Sequence, residues 1–268
     1  MKINKKIISF VLWIIGLSML LFSLAFASAK QKKVEIQNLS ITVANTEVND
    51  FIDEDDLKRY LQDRQDTIVN TEIKNLDITN IEKVLNAHPD IENADVSVDI
   101  NGDVDINVLQ RTPIVRVFNL DGESYYIDTQ SKLMPLNETQ TARVLIATGF
   151  IFEPYSRRVI TPVNVIAKNE IYSKFSVLDD IYEMADYIRK DSVLNNLVHQ
   201  IKVLPDKEFE LYLAIGNHKI LFGEAVDIEA KFKKLKLFYT DGLNKTDGWN
   251  KYSIINIKYK NQVVCTKK

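Results

Sequence analysis

The chain has a single cysteine, Cys265, in 268 residues, which rules out an internal disulfide framework and leaves the redox compartment open. Histidine is scarce as well. His88, His199 and His218 lie far apart, before a proline, at a helix end and in a turn, and the sequence holds no H-E-x-x-H, G-x-S-x-G, phosphate-binding glycine loop or zinc-ligand spacing. Cys265 has neither a nearby histidine nor a helix start to activate its thiol. The acids Asp53, Glu54, Asp55 and Asp56, even joined by Asp103 and Asp105, do not complete a divalent-cation loop. The expectation is a protein without catalytic residues, metal or cofactor. Acidic residues are missing from the first 34 positions: residues 34–268 carry all 37 acids against 28 of the 34 bases, the other six being Lys2, Lys5, Lys6, Lys30, Lys32 and Lys33. That net charge of about −9 argues against nucleic acid or anionic lipid as the main partner.

What the chain does have at its start is an uncharged run, residues 7–29. As a helix rising 1.5 Å per residue it would reach roughly 34 Å, enough to cross a hydrocarbon core of about 30 Å. A cleaved secretory signal is the competing reading, given the basic start and the small-x-small trio Ala27, Ser28 and Ala29. The run exceeds the usual signal core, which favours a retained transmembrane anchor behind a six-residue cytoplasmic tail, residues 1–6. Lysines balance on the two flanks, so orientation rests on length, and the large remainder is placed outside the cytoplasm.

Residues 34–43 read as a first strand. A helix follows in which acids crowd the first turn and Leu57, Tyr60 and Leu61 share a face. A second helix is expected from Thr79, which stands in capping-box relation to Glu82, with Ile78, Ile81 and Leu85 inward and Pro89 ending it. Val96, Val98 and Ile100, then Val104, Ile106 and Val108, alternate on either side of Asn101 and Gly102, which predicts a hairpin. A two-residue turn would put Val98 beside Asp105, so burial of one face demands an odd loop, residues 101–103, pairing Val98 with Ile106 and Val96 with Val108. A β-α-α-β-β module over 34–112 results.

Residues 113–268 read as a β-rich domain: strands from Ile114 through 144–147, then a long excursion between Pro154 and Pro162. Next comes a helix opened by a capping box of Ser176 and Asp179, with Leu178, Ile181, Ala185 and Ile188 inward. Residues 201–204 form a strand, as do Phe209, Leu211, Leu213 and Ile215 after a turn at Pro205. Residues 227–239 form a helix whose lysines, Lys231, Lys233, Lys234 and Lys236, read as a solvated face. Ile255, Ile257 and Tyr259 close the chain as a strand, with 263–266 extending it or turning back beside it. The fold class is α+β.

Several motifs, in order, carry a resemblance. Pro89, Asp90, Ile91, Ala94 and Val96, then Gly102, Val104, Ile106, Val108, Gln110, Arg111 and Pro113, resemble a POTRA domain of the bacterial cell-division family FtsQ/DivIB. Tyr125, Tyr126, Ile127 and Asp128, with Met134, Pro135 and Leu136, resemble the opening of that family's β domain. Gln110 and Ser131 depart from it, standing where an acid and a turn glycine are common. The resemblance implies a bitopic divisome scaffold at the septum of the cytoplasmic membrane, binding other division membrane proteins. It implies that a strand of an FtsB-like protein, paired with an FtsL-like one, adds to the last strands of the β domain. The matching stretch is Tyr259, Asn261, Gln262, Val263, Val264, Cys265 and Thr266, with Tyr259 at the place of a binding tyrosine and Val263, Val264 and Cys265 offering the pairing backbone. An ordinary edge strand blunted by Lys260, Lys267 and Lys268 is the plain alternative. A POTRA-bearing envelope transport or assembly factor is the rival function, though no train of barrel strands follows here, and an envelope hydrolase finds no constellation.

Overall fold

Asp53 begins the first globular helix because its carboxylate accepts the Asp56 N–H at 2.8 Å while Asp56 reaches back to the Asp53 N–H, a reciprocal cap made by two acids. The computed structural model describes residues 13–23, 35–44, 51–64, 68–99, 101–137, 140–155, 162–163, 176–246 and 249–268. Residues 13–23 are helical and exposed, and Ser18 and Ser23 turn their hydroxyls back onto the carbonyls of Ile15 and Leu20. No helix among the described residues is long and apolar enough to cross a membrane; residues 7–12 and 24–29 of the expected span lie outside them.

The chain divides into two units, residues 1–45 with 52–110, and 46–51 with 111–268. In the first, β1 (Leu39–Ala44), α1 (Glu54–Gln62), α2 (Ile78–Asn86), β2 (Ile91–Val98) and β3 (Val104–Gln110) follow in that order. The described strands pair as β1-β3-β2, with β1 parallel to β3. Ile41, Leu57, Leu61, Ile81, Leu85, Val96, Val104, Ile106 and Val108 are buried. The first strand begins later than its composition suggests, because Ile36, though buried, bonds Thr71 and Asn70 outside the sheet. Val34 lies outside the described residues.

Two expectations fail here for identifiable reasons. Thr79 lies inside α2; Asp77 caps it by accepting the Asn80 N–H, and Glu82 instead accepts the Val96 N–H of β2 at 3.1 Å. The hairpin loop is odd, as burial required, yet the register is shifted by two: Val98 faces Val104, Val96 faces Ile106 and Ala94 faces Val108. Asp99 sets this register, since its carboxylate accepts the N–H groups of Asn101 and Asp103 at 2.8 and 2.9 Å and its backbone N–H bonds the Asp103 carbonyl. Those bonds, Asp103 first, hold the Asp99 carboxyl below its ordinary range. Val98 thereby moves to the open end of the ladder and is only half-buried.

In the second unit the described strands are β4 (Pro113–Phe118), β5 (Ser124–Asp128), β6 (Leu133–Met134), β7 (Leu145–Gly149), β8 (Val198–Val203), β9 (Phe209–Leu213), β10 (Lys219–Gly223), β11 (Tyr252–Asn256) and β12 (Val264–Lys267). They form one open sheet ordered β12-β11-β10-β9-β8-β7-β4-β5-β6. Helices α3 (Leu178–Lys190), α4 (Ser192–Leu197) and α5 (Ile228–Leu237) share one core with its strands, α3 through Leu178, Ile181, Met184, Ala185 and Ile188 and α5 through Phe232 and Leu235. Phe51, read from sequence as part of the first module, packs in this unit, its ring 6.2 Å from that of Tyr126 and its carbonyl bonded by Asn137.

The start of α3 is not the expected capping box. Ser176 Oγ accepts the Leu178 N–H at 3.3 Å, but the Val177 N–H goes to the buried Glu153 from the segment after β7, and Asp179 does not reach back. The lysines of α5 form a solvated face only in part: Lys233 is exposed, but Lys231 is buried, donating to the Glu224 carbonyl at 2.8 Å and lying over the Phe222 ring. Lys236 pairs with Asp191, and Lys233 with Glu229. Ile215 lies beyond β9 and is 55% exposed. The strand β10 was not anticipated, because Ile220 and Phe222 alternate over only five residues.

Candidate functional site

Ile255 and Ile257 have no exposed surface and fix β11 and its end in the core. The chain then turns through Tyr259, Asn261 and Gln262, all exposed, and returns antiparallel as β12, with Ile255 facing Cys265 and Asn256 facing Val264. So 263–266 turns back beside β11, and Tyr259 belongs to the turn. Val263 and Cys265 pack on the core, while Val264 and Thr266 point to the other face.

Two backbone bonds give the phase of this edge. Ile257 N–H donates to Leu221 of β10 at 3.0 Å, and Lys268 N–H donates to Lys251 at 3.1 Å. Each residue of a strand turns its N–H and C=O to the same side, and successive residues alternate. Odd-numbered residues at the end of β11 therefore face β10, and Ile254 and Asn256 face β12. Opposite them, Val264 and Thr266 direct their backbone groups inward, whereas Cys265 and Lys267 present N–H and C=O to the outer side of β12. No strand among the described residues pairs there. Of the three residues expected to offer pairing backbone, Cys265 turns it outward and Val264 turns it inward.

The edge is supported from behind and at its turn. Tyr239, buried in the π-helical stretch Phe238–Leu243 that follows α5, stacks on Trp249 at 5.0 Å and shares a 2.6 Å hydrogen bond with His218 Nε2. Burial keeps this pair uncharged, raising the Tyr239 phenol and lowering the His218 imidazolium. Burial also raises the Cys265 thiol, which disfavours the thiolate form. At the turn, Lys234 of α5 donates to the carbonyls of Ile257, at 2.8 Å, and Tyr259. Lys258 pairs with Glu208, and a Cβ at Gly223, where φ is +76°, would sit 2.9 Å from Lys258 Cγ.

The other histidines lie elsewhere. His88 ends the turn after α2, accepting the Asp90 N–H at Nδ1, and His199 lies exposed on β8. The acids Asp53 and Asp56 serve as the α1 cap, and Asp103 accepts from Asn38. No group of three or more potential metal ligands converges among the described residues.

Residues 112–266 match the model of the FtsQ/DivIB, C-terminal related family, and residues 35–109 match that of the POTRA-like domain. The chain belongs to the FtsQ/DivIB C-terminal-related family. The α+β class and the order of a POTRA-like unit before a β-rich one with helices on its sheet agree with these matches. No curated protein matches the chain. Sequence alone named the candidate stretch but not its phase, because the phase depends on the parallel pairing of β10 with β11, and β10 carries a weak sequence signal.

Proposed function

We infer that this is a cell-division protein of the divisome, a non-enzymatic scaffold held at the cytoplasmic membrane by residues 7–29 and acting outside the cytoplasm through β12. Family membership supports division as the process. The observation that carries the mechanism is the outward backbone of Cys265 and Lys267 on an edge strand with no described neighbour. Strand addition draws affinity from such main-chain groups and specificity from alternate side chains. The partner in this reading is an FtsB/FtsL-like pair, with Tyr259, Asn261 and Gln262 exposed at the turn for further contact.

The test is twofold. A fluorescent fusion should collect at mid-cell in dividing bacteria, and the full chain should capture the FtsB/FtsL-like pair while a chain lacking residues 263–268 should not. Uniform envelope fluorescence would overturn the division role, and undiminished capture would move the binding surface elsewhere. N-terminal sequencing of the membrane-extracted protein should read from the initial methionine; a chain starting at Lys30 would overturn the anchor.

A further inference from the structure

We propose that Lys234 is a positioning residue for the open edge: its ammonium, reaching from α5, fixes the turn between β11 and β12 and so holds β12 where a strand can pair with it. This rests on the strand-addition reading above. Lys234 Nζ donates to two carbonyls, Ile257 at 2.8 Å and Tyr259, and these bracket the point at which the chain leaves the core and turns. Hydrogen bonds from an ammonium are stronger than neutral ones. Here the lysine is half-buried, which limits competition from water.

The edge needs such a clamp. β12 has four residues, and its ladder to β11 is interrupted by a bulge between Tyr252 and Ile254, so little sheet pairing holds it. Short edge strands with exposed backbone bonds open at low free-energy cost. Among the described residues the other lysines of α5 are engaged elsewhere: Lys231 on the Glu224 carbonyl, Lys233 on Glu229 and Lys236 on Asp191. Lys258 steadies the turn through Glu208 with its side chain, whereas Lys234 grips the turn's own backbone.

The experiment uses the full chain with Lys234→Met, which keeps the aliphatic stem and removes the donor, and Lys234→Arg, which restores a cation. Amide hydrogen exchange is read at Val264 and Thr266, whose N–H groups face β11, and at Ile201 and Leu211 in the sheet interior. Capture of the soluble part of the FtsB/FtsL-like pair is measured in parallel. Lys234→Met should speed exchange at Val264 and Thr266 by tenfold or more, leave Ile201 and Leu211 unchanged and weaken capture about tenfold, with Lys234→Arg recovering most of both. Unchanged exchange at Val264 and Thr266 would overturn the clamp, as would acceleration at all four sites, which would mean general destabilisation. Faster exchange at the edge with undiminished capture would uphold the clamp and overturn strand addition at β12.

Discussion

Arg111 Nε donates to Asp128 Oδ2 at 2.7 Å, with the two side chains only 10% and 1% exposed. The pair joins the start of the second unit to the end of β5, the two stretches on which the family resemblance rests. Arg111 also donates to the Leu133 carbonyl, and the other Asp128 oxygen accepts the N–H groups of Gln130 and Lys132, so β4, β5 and β6 meet at one carboxylate. Removing one partner of a buried pair leaves the other charge unpaired, which typically costs about 3–5 kcal/mol. Arg111→Met should lower the urea-unfolding free energy by about that much. A loss under about 1 kcal/mol, the value of an exposed pair, would show that water already screens it.

Ser131 occupies the left-handed region at φ +61°, fully buried, and among the described residues its hydroxyl oxygen has no hydrogen-bond partner. A side chain in that conformation costs about 1–2 kcal/mol, which glycine avoids. The turn's own bonds, from Ser131 N–H to the Asp128 carbonyl and from Val163 N–H to the Ser131 carbonyl, need no side chain. Ser131→Gly should therefore stabilise the protein by about 1 kcal/mol, after the greater freedom glycine gives the unfolded chain is set against the relief. A fall in melting temperature would show that the serine fills space the core needs.

Asp180 is pushed up to about 6 by burial first, then by Asp179 and Glu183, with Lys207 opposing and Glu224 adding to the rise. Its folded value thus exceeds the unfolded one of about 3.9. Between those values the folded protein holds more protons than the unfolded, so this group's contribution to stability falls as pH rises from 4 to 6 and stays at its lower level above 6. Asp180→Asn removes the charge and should raise the melting temperature at pH 7.5 relative to the parent, with the difference shrinking towards pH 4. An equal difference at both pH values would show that the carboxylate carries no such penalty.

Much of this fold was legible in the sequence where period and burial coincide. Leu57 with Leu61 and Ile81 with Leu85 are the inward stripes of α1 and α2, and the parity of the hairpin loop followed from keeping Asp105 off the apolar face. What was not legible depends on single polar groups choosing among equivalent partners. Asp99 could move the centre of the loop from residue 102 to residue 101 without changing parity, so alternation could not forbid the register it sets. Glu82 suits a capping box and suits a strand N–H equally well, and only the approach of β2 to α2 decides for Val96. The lysines of α5 looked like a wet face because a sequence does not reveal that long stems can reach carbonyls of Glu224, Ile257 and Tyr259. Gln110, an oddity by comparison with the family, has a local reason: its amide donates to the Ile52 carbonyl at 3.2 Å in the core of the first unit.

The edge itself gives the most direct test, because backbone phase separates two adjacent residues that composition treats alike. Proline removes an N–H and is tolerated on an edge strand where that N–H faces outward. Val264→Pro deletes an inward group opposite Asn256 and should fray β12 from β11. Cys265→Pro deletes an outward group and should leave the ladder, and the melting temperature, close to the parent. The decisive measurement is the affinity of full-length Cys265→Pro for the FtsB/FtsL-like pair, set beside Cys265→Ala to account for the lost thiol. Strand addition at β12 predicts that Cys265→Ala binds nearly as the parent does while Cys265→Pro, still folded, loses capture; a folded Cys265→Pro that binds as tightly as Cys265→Ala would contradict it.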